Sequence, residues 1–252
     1  MLSVVAGPLD GKPVVARNAD VLHEAASTMK VAVLAALHRS GIDLGAERPV
    51  VNRFASAAGG SFANTREWDS DPEPWLLLDR GGSASLRWLA ERMITHSSNL
   101  ATNLCLAAVG PAAVAQVWRR AGATRSASPR GVEDLAARAA GIHNRVTAAD
   151  LVRLLRSLEP ELLSLLERNA WRVDLAAGLP EGTRIAFKNG WIPEVRNSAG
   201  IVYPDDAPPY VIAVCYTGPL ASGRDAYEHD PAARLLARLS ARAWARRGEA
   251  PG

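Results

Sequence analysis

Ser27 and Lys30 stand three residues apart in "AASTMKVAVLAAL", residues 25–37. On a helix that spacing puts two side chains on one face, so a serine hydroxyl would lie beside a lysine amine. A helix N-terminus adds a positive field that favours negative charge on an attacking oxygen. A buried ammonium loses hydration, its pKa falls, and the neutral amine becomes available as a base. Arginine cannot do this, because its guanidinium stays protonated. The chain otherwise writes arginine: among its 29 Lys and Arg residues only Lys12, Lys30 and Lys188 are lysine. The pair suits nucleophilic catalysis with Ser27 as nucleophile and Lys30 as base, although a serine at a helix start is also a plain N-cap.

Two further elements carry polar groups of the right kind. "MITHSSNLATNL" holds Ser97-Ser98-Asn99 at the start of a predicted helix, and "RIAFKNGWIPEV" holds Lys188-Asn189-Gly190 on a predicted strand. Ser-x-Asn and Lys-x-Gly each occur once in the chain. Ser97 also reads as a helix cap, Asn99 and Asn189 as turn residues bonding their own backbone, and Lys188 as a surface lysine. Lys12 sits in a turn and needs no functional account.

The elements that must hold these residues follow from periodicity. "LSVVAG", "PLDGK" and "PVVARNA" read as a hairpin. A helix follows from about Ser27 to His38, apolar most of the way round and so expected to be buried, with Gly41 as its C-cap. Residues 42–82, rich in Gly, Ser, Asp and Pro, read as loops with short helices. Helical patterns cover 83–94, 99–109, 111–121, 147–158 and 160–168, with Thr147 as an N-cap. Near Gly178 the pattern changes to three strands, "RIAFKNGW", "SAGIVYP" and "PPYVIAVCYTG", and an arginine-rich helix closes the chain. Strands at both ends imply one antiparallel sheet made from both chain ends. The expected fold class is α/β in the α+β sense: a five-stranded antiparallel sheet flanked by terminal helices, with an inserted all-helical domain. The expected domains are 1–22 plus 178–252 for the sheet and 23–177 for the helices.

Composition excludes several functions. At 252 residues, 48% apolar and 22% charged, the chain fits an ordinary globular protein. No window approaches 18 uninterrupted apolar residues, so no transmembrane helix is expected. "MLSVVAGPLDGKPVV" lacks a basic segment before a long apolar core, so no signal peptide is visible and a cytoplasmic location is expected; a chain whose leader has been removed would read the same. The net charge of +3 comes from dispersed arginines, with no basic run interleaved with aromatics, so nucleic acid is not an expected partner. Cys105 and Cys215 lie in apolar runs and read as buried thiols. The five histidines have no ligand-like spacing, so neither a metal nor another cofactor is expected.

The order Ser-x-x-Lys, Ser-x-Asn, Lys-x-Gly resembles the active-site serine β-lactamases and penicillin-binding proteins, and the class A β-lactamases most closely. The segments "AASTMKVAVLAAL", "LAERMITHSSNLATNLCL" and "VTAADLVRLLRSL" resemble that family in order. The likeness covers nearly the whole chain and implies the same split sheet, with the active site where its two domains meet. It implies Ser27 as the residue acylated, Lys30 as its base or proton relay, and Ser97 as the group that passes a proton to the leaving nitrogen. Asn99 would bond a substrate amide, and Lys188 would polarise Ser97 and attract a substrate carboxylate. The oxyanion hole would be the backbone N–H groups of Ser27 and Trp191, the residue after Gly190.

The chain also departs from the family. Ser98 stands where an aspartate is usual, which removes a buried carboxylate. Asn189 stands where Thr or Ser is usual, removing a hydroxyl while keeping an amide that can donate. Trp191 is bulky where relatives are small. Class A enzymes activate the deacylating water with a glutamate in Glu-x-x-Leu-Asn; here Glu133 lies in "SPRGVEDLAARAAGIHN", with Ala136 and Ala137 where Leu and Asn would stand. Glu133 is thus either the deacylating base or a solvated or Arg130- or Arg138-paired charge. Arg196 and Arg184 are candidates to clamp a substrate carboxylate, and Glu194 is an unassigned carboxylate. The expected function is a serine hydrolase that forms an acyl-enzyme at Ser27 and acts on a β-lactam or other small acyl substrate. Two alternatives stand beside it: an acyl-transferring enzyme of small-molecule metabolism, and a non-catalytic protein that is acylated as a sensor. No membrane partner is expected, and the sequence does not fix the oligomeric state.

Overall fold

Runs of buried aliphatic residues at the two ends of the chain pair into one sheet. In the computed structural model, which describes residues 1–223 and 229–248, the strands are β1 (Leu2–Pro8), β2 (Val15–Arg17), β3 (Arg184–Ile192), β4 (Val195–Tyr203) and β5 (Tyr210–Thr217). Their spatial order is β2-β1-β5-β4-β3, antiparallel throughout. This is the five-stranded sheet expected from the sequence. The last-made pair matters most for the site: Ala199 lies opposite Lys188, Asn197 opposite Gly190 and Arg196 opposite Trp191. Strand β3 is an edge, so alternate backbone groups along it are not used by the sheet.

The helices are α1 (Lys30–His38), α2 (Glu73–Asp79), α3 (Leu86–Thr95), α4 (Asn99–Arg120), α5 (Leu135–Ala139), α6 (Ala148–Arg156), α7 (Pro160–Glu167) and α8 (Pro231–Ala245). Helix α1 is buried at every residue from Lys30 to Leu37, as a run apolar all round its axis requires. Helix α4 is two helices joined at Gly110, whose φ of 76° no regular helix allows, with Pro111 opening the second. Neither half has the ~20 residues needed to cross a bilayer. Thr147 caps α6 by accepting the Asp150 N–H, and Asp230 caps α8 by accepting those of Ala232 and Ala233. Each satisfies donors that a bare helix start would leave unpaired.

Contacts divide the chain into two compact units. The first holds Met1–Thr28, Ala121–Ser126 and the chain from Arg145 onward; the second holds Met29–Arg120 and Ala127–Asn144. The first unit has its core on one face of the sheet, where Val4, Ile185, Phe187, Val202, Ile212 and Val214 pack against Leu175 and, from α8, Leu236. Residues 145–177, expected in the helical domain, belong instead with the sheet. The reason is packing: α6 lies on β1, β4 and β5, and α7 lies on β3. The second unit, built on α1, α3 and α4, is not wholly helical. It contains two short ladders, Glu47–Pro49 with Ser83–Ser85 and Phe54–Ala55 with Ser61–Phe62. Cys105 and Cys215 are both free and buried, and burial pushes both thiols up to about 12.

Candidate active site

In the first unit, Ser27 lies half-buried in a 3-10 turn, Ala26–Met29, that runs directly into α1. The turn is held locally by Thr28, whose N–H and hydroxyl both donate to Ala25 O, at 3.1 and 2.6 Å. It is held to the sheet by Asn197, whose Nδ2 donates to Glu24 O at 2.8 Å. Ala26, just before the serine, sits at φ 45°, a region that costs a non-glycine residue about 1–3 kcal/mol. Strand β3 presses against this turn: a Cβ at Gly190 would lie 2.4 Å from the Ser27 nitrogen and 3.0 Å from its Cα. Only glycine allows two backbones so close. Lys188, two residues back on the same face, is 1% exposed, and its Nζ donates to Asn189 O at 3.1 Å.

In the second unit, Lys30 is fully buried and its amine is surrounded by oxygens. Nζ donates to Ser97 O at 2.6 Å, Asn99 Oδ1 at 2.9 Å, Ser97 Oγ at 3.2 Å and Ser98 O at 3.5 Å. Burial draws its pKa from 10.5 down to about 8, against the opposing pull of Asp69, Glu133 and Asp71. Ser97 takes φ 61°, which turns its hydroxyl and carbonyl toward the amine. Asn99 bridges two charges: its Oδ1 receives the lysine, and its Nδ2 donates to Glu133 Oε1 at 2.9 Å. Those partners fix which end of the amide faces which way.

Glu133 is therefore brought to the same cluster. Its Oε2 accepts the Thr65 N–H at 2.6 Å. Burial pushes the carboxyl above the usual range, with bonds from Thr65, Asn64 and Asn99 pulling it back. Its backbone sits at φ 68°. The loop is locked by its neighbours. Asp134 caps α5 and accepts the Ser56 hydroxyl and the Ala57 N–H, each at 2.8 Å. Asn103 pairs both ways with Val132, at 2.8 and 2.9 Å. The family's asparagine four residues after the glutamate is Ala137 here, and an amide from Asn99 contacts the carboxylate instead.

Asp69 is the residue that sequence reasoning missed. Its carboxylate accepts the Asn99 and Leu100 N–H groups at 3.0 and 2.9 Å, the Ser98 hydroxyl at 3.2 Å and the Trp75 indole N–H at 3.0 Å. It caps α4 and fixes the Ser97–Asn99 turn. Ser98 does cost a carboxylate in the motif, but one arrives from a loop 29 positions earlier in the chain. No local signal links Asp69 to Ser98; the contact is purely tertiary. Asn197 was missed for the same reason.

Three residues expected to serve a substrate carboxylate are engaged within the protein. Asn189 is fully buried and its Nδ2 is committed to Trp171 O at 3.1 Å, while its Oδ1 accepts Asn169 Nδ2 at 3.3 Å. Arg196 is fully buried, with Nε on Asp174 at 2.5 Å and Nη1 3.5 Å from Asp230. Arg184 lies on the surface, paired with Glu167 at 2.9 Å and over the Tyr203 ring. In each case side-chain direction and partners were invisible in one dimension. Glu194, at φ 65°, is exposed in the turn between β3 and β4.

A model of the β-lactamase enzyme family matches residues 1–246 of the chain. No curated protein matches it. Among solved structures, the β-lactamase from Streptomyces albus G superposes with a TM-score of 0.71 at 25% identity, covering 96% of this chain and 93% of that one. A mutant class A β-lactamase of the last common ancestor of Gram-negative bacteria gives 0.73 at 27% identity, over 97% and 94%. PBP-A gives 0.73 at 22% identity, over 98% and 90%, a likeness of fold.

Proposed function

The chain belongs to the β-lactamase enzyme family and is a serine hydrolase of that kind, and from that premise we propose that it forms an acyl-enzyme at Ser27 and hydrolyses it with water activated by Glu133. Lys30 takes the Ser27 proton as the hydroxyl oxygen attacks the acyl carbon. The N–H groups of Ser27 and Trp191 receive the developing oxyanion, donors of a type worth about 3–4 kcal/mol each. The proton passes from Lys30 through Ser97 to the leaving nitrogen or oxygen. Water then attacks the Ser27 ester, giving its proton to Glu133; the acyl–Oγ bond breaks, the Ser27 oxygen takes up a proton in its place, and the acid departs.

The observation that carries this reading is the Lys30 amine. It is buried, drawn down to about 8, 3.2 Å from the Ser97 hydroxyl and joined through Asn99 to a carboxylate. A purely structural lysine has no need of such a setting, and a pKa near the working pH suits a base. The Glu133–Asn99 bond favours hydrolysis over a lasting acyl group. The test is intact-mass spectrometry of Glu133→Gln mixed with penicillin G or p-nitrophenyl acetate. The variant should accumulate a +acyl adduct that persists at least ~100-fold longer than in the unaltered protein, in line with loss of a general base. An adduct lifetime unchanged by the substitution would remove Glu133 from the mechanism.

A further inference from the structure

The loop that carries Glu133 is held by a second segment of the same unit, a short hairpin in which Phe54–Ala55 pairs with Ser61–Phe62. From Ser56 to Thr65 this segment meets each of residues 131 to 134. The Phe62 ring lies against Gly131, where a Cβ would come within 2.5 Å of its Cζ, and Phe54 backs that ring at 5.6 Å. Asn64 donates to Val132 O at 3.3 Å and accepts Asn103 Nδ2 at 2.9 Å. The Ser56 hydroxyl and the Ala57 N–H hold Asp134. Three residues past the hairpin, the Thr65 N–H meets Glu133 Oε2 at 2.6 Å, short even for a bond to a charged acceptor. Asn99 holds the other oxygen, so the carboxylate is gripped by one donor on each oxygen. Glu133 keeps its φ of 68°, a state that persists only where the surroundings impose it. Three charged groups bear on this carboxyl. Asp69 pushes it up, Lys30 lies across the Asn99 amide, and Asp134 is turned to Ser56 and Ala57. A donor to the ionised form favours that form, so the Thr65 N–H opposes the burial that drives the carboxyl up.

We propose that the hairpin is a positioning clamp for the general base, and that the Thr65 N–H beyond its end is the donor that aims the Glu133 carboxylate for deacylation. The inference rests on the acyl-enzyme reading and adds a positioning residue to it. Thr65 acts through Glu133 and touches neither the acyl group nor the attacking water. With Oε2 tied to Thr65 and Oε1 to Asn99, rotation of the carboxylate would break both bonds. Each oxygen still has a lone pair left for the proton that water gives up, and its direction is fixed before water arrives.

The Thr65 amide proton reports this bond by NMR on the unaltered protein. It should resonate downfield and shift with pH in one step, with the same midpoint as the acid limb of decay of the Ser27 adduct from p-nitrophenyl acetate. Glu133→Gln should abolish that step. Thr65→Pro deletes the N–H and leaves Glu133 in place. Losing a donor to the ionised form raises the carboxyl pKa, so the acid limb should move up by about one pH unit. Below that limb the adduct should last about tenfold longer, the scale of one hydrogen bond to a charged group. A Thr65 amide that does not titrate overturns the inference, as does an unmoved limb in folded Thr65→Pro. Should that variant not fold, the amide titration decides alone. The parent reading is tested apart from the clamp. An adduct lifetime unchanged in Glu133→Gln overturns both, whereas a lengthened lifetime with a silent Thr65 amide overturns the clamp only.

Discussion

Asp69 sits beside the base without belonging to any motif, and its charge acts in one direction on Lys30. Burial lowers the lysine pKa to about 8, and Asp69 is the largest influence holding it up. Asp69→Asn removes that charge while keeping one acceptor oxygen for the Asn99 and Leu100 N–H groups. The lysine pKa should then fall further, more of the amine should be neutral at a given pH, and the acidic limb of the acylation rate should move to lower pH. A pH profile of Ser27 acylation checks the sign; a limb that stays in place or moves upward contradicts it. Helix capping by Asp69 predicts a separate cost of ~1 kcal/mol in stability. The types Ser, Lys, Ser, Asn and Lys were legible because each is chemically odd in this chain. Asp69 was illegible because nothing in its local run distinguishes it from a loop aspartate.

Strand β3 and its partner β4 show where reading elements from sequence succeeds and where it stops. The strands, the break at Gly110 and the Thr147 cap all follow from local chemistry: alternation, left-handed φ and a side-chain acceptor at a helix start. Which face each strand residue takes depends on register, and register is a tertiary property. Arg196 was therefore readable as a substrate clamp until its face was known. It is buried and paired with Asp174 and Asp230. Arg196→Met should destabilise the fold by about 3–5 kcal/mol, because two buried carboxylates lose their only strong counter-charge in the trio. Urea unfolding measures this directly. A melt within 1 kcal/mol of the unaltered protein, with acylation of a carboxylate substrate lost, would instead return Arg196 to substrate binding (about that interval being the scatter of surface changes).

At the scale of the whole molecule, a sheet made from both chain ends was legible because strands begin and end the sequence with helices between. The boundary at 177 was not, because amphipathic helices such as α6 and α7 look alike whether they cover a sheet or other helices. The residues that carry the proposed chemistry span positions 27 to 191, so only the folded chain can assemble it. The account stands or falls on whether the Ser27 hydroxyl is the atom that becomes acylated. The direct measurement is time-resolved intact-mass spectrometry with p-nitrophenyl acetate and penicillin methyl ester, followed by peptide mapping, on the unaltered protein and on Ser27→Ala. The account predicts an acyl adduct that maps to the Ser27 peptide, rises and then decays, and no adduct on folded Ser27→Ala. Labelling of Ser27→Ala at the rate of the unaltered protein would contradict it.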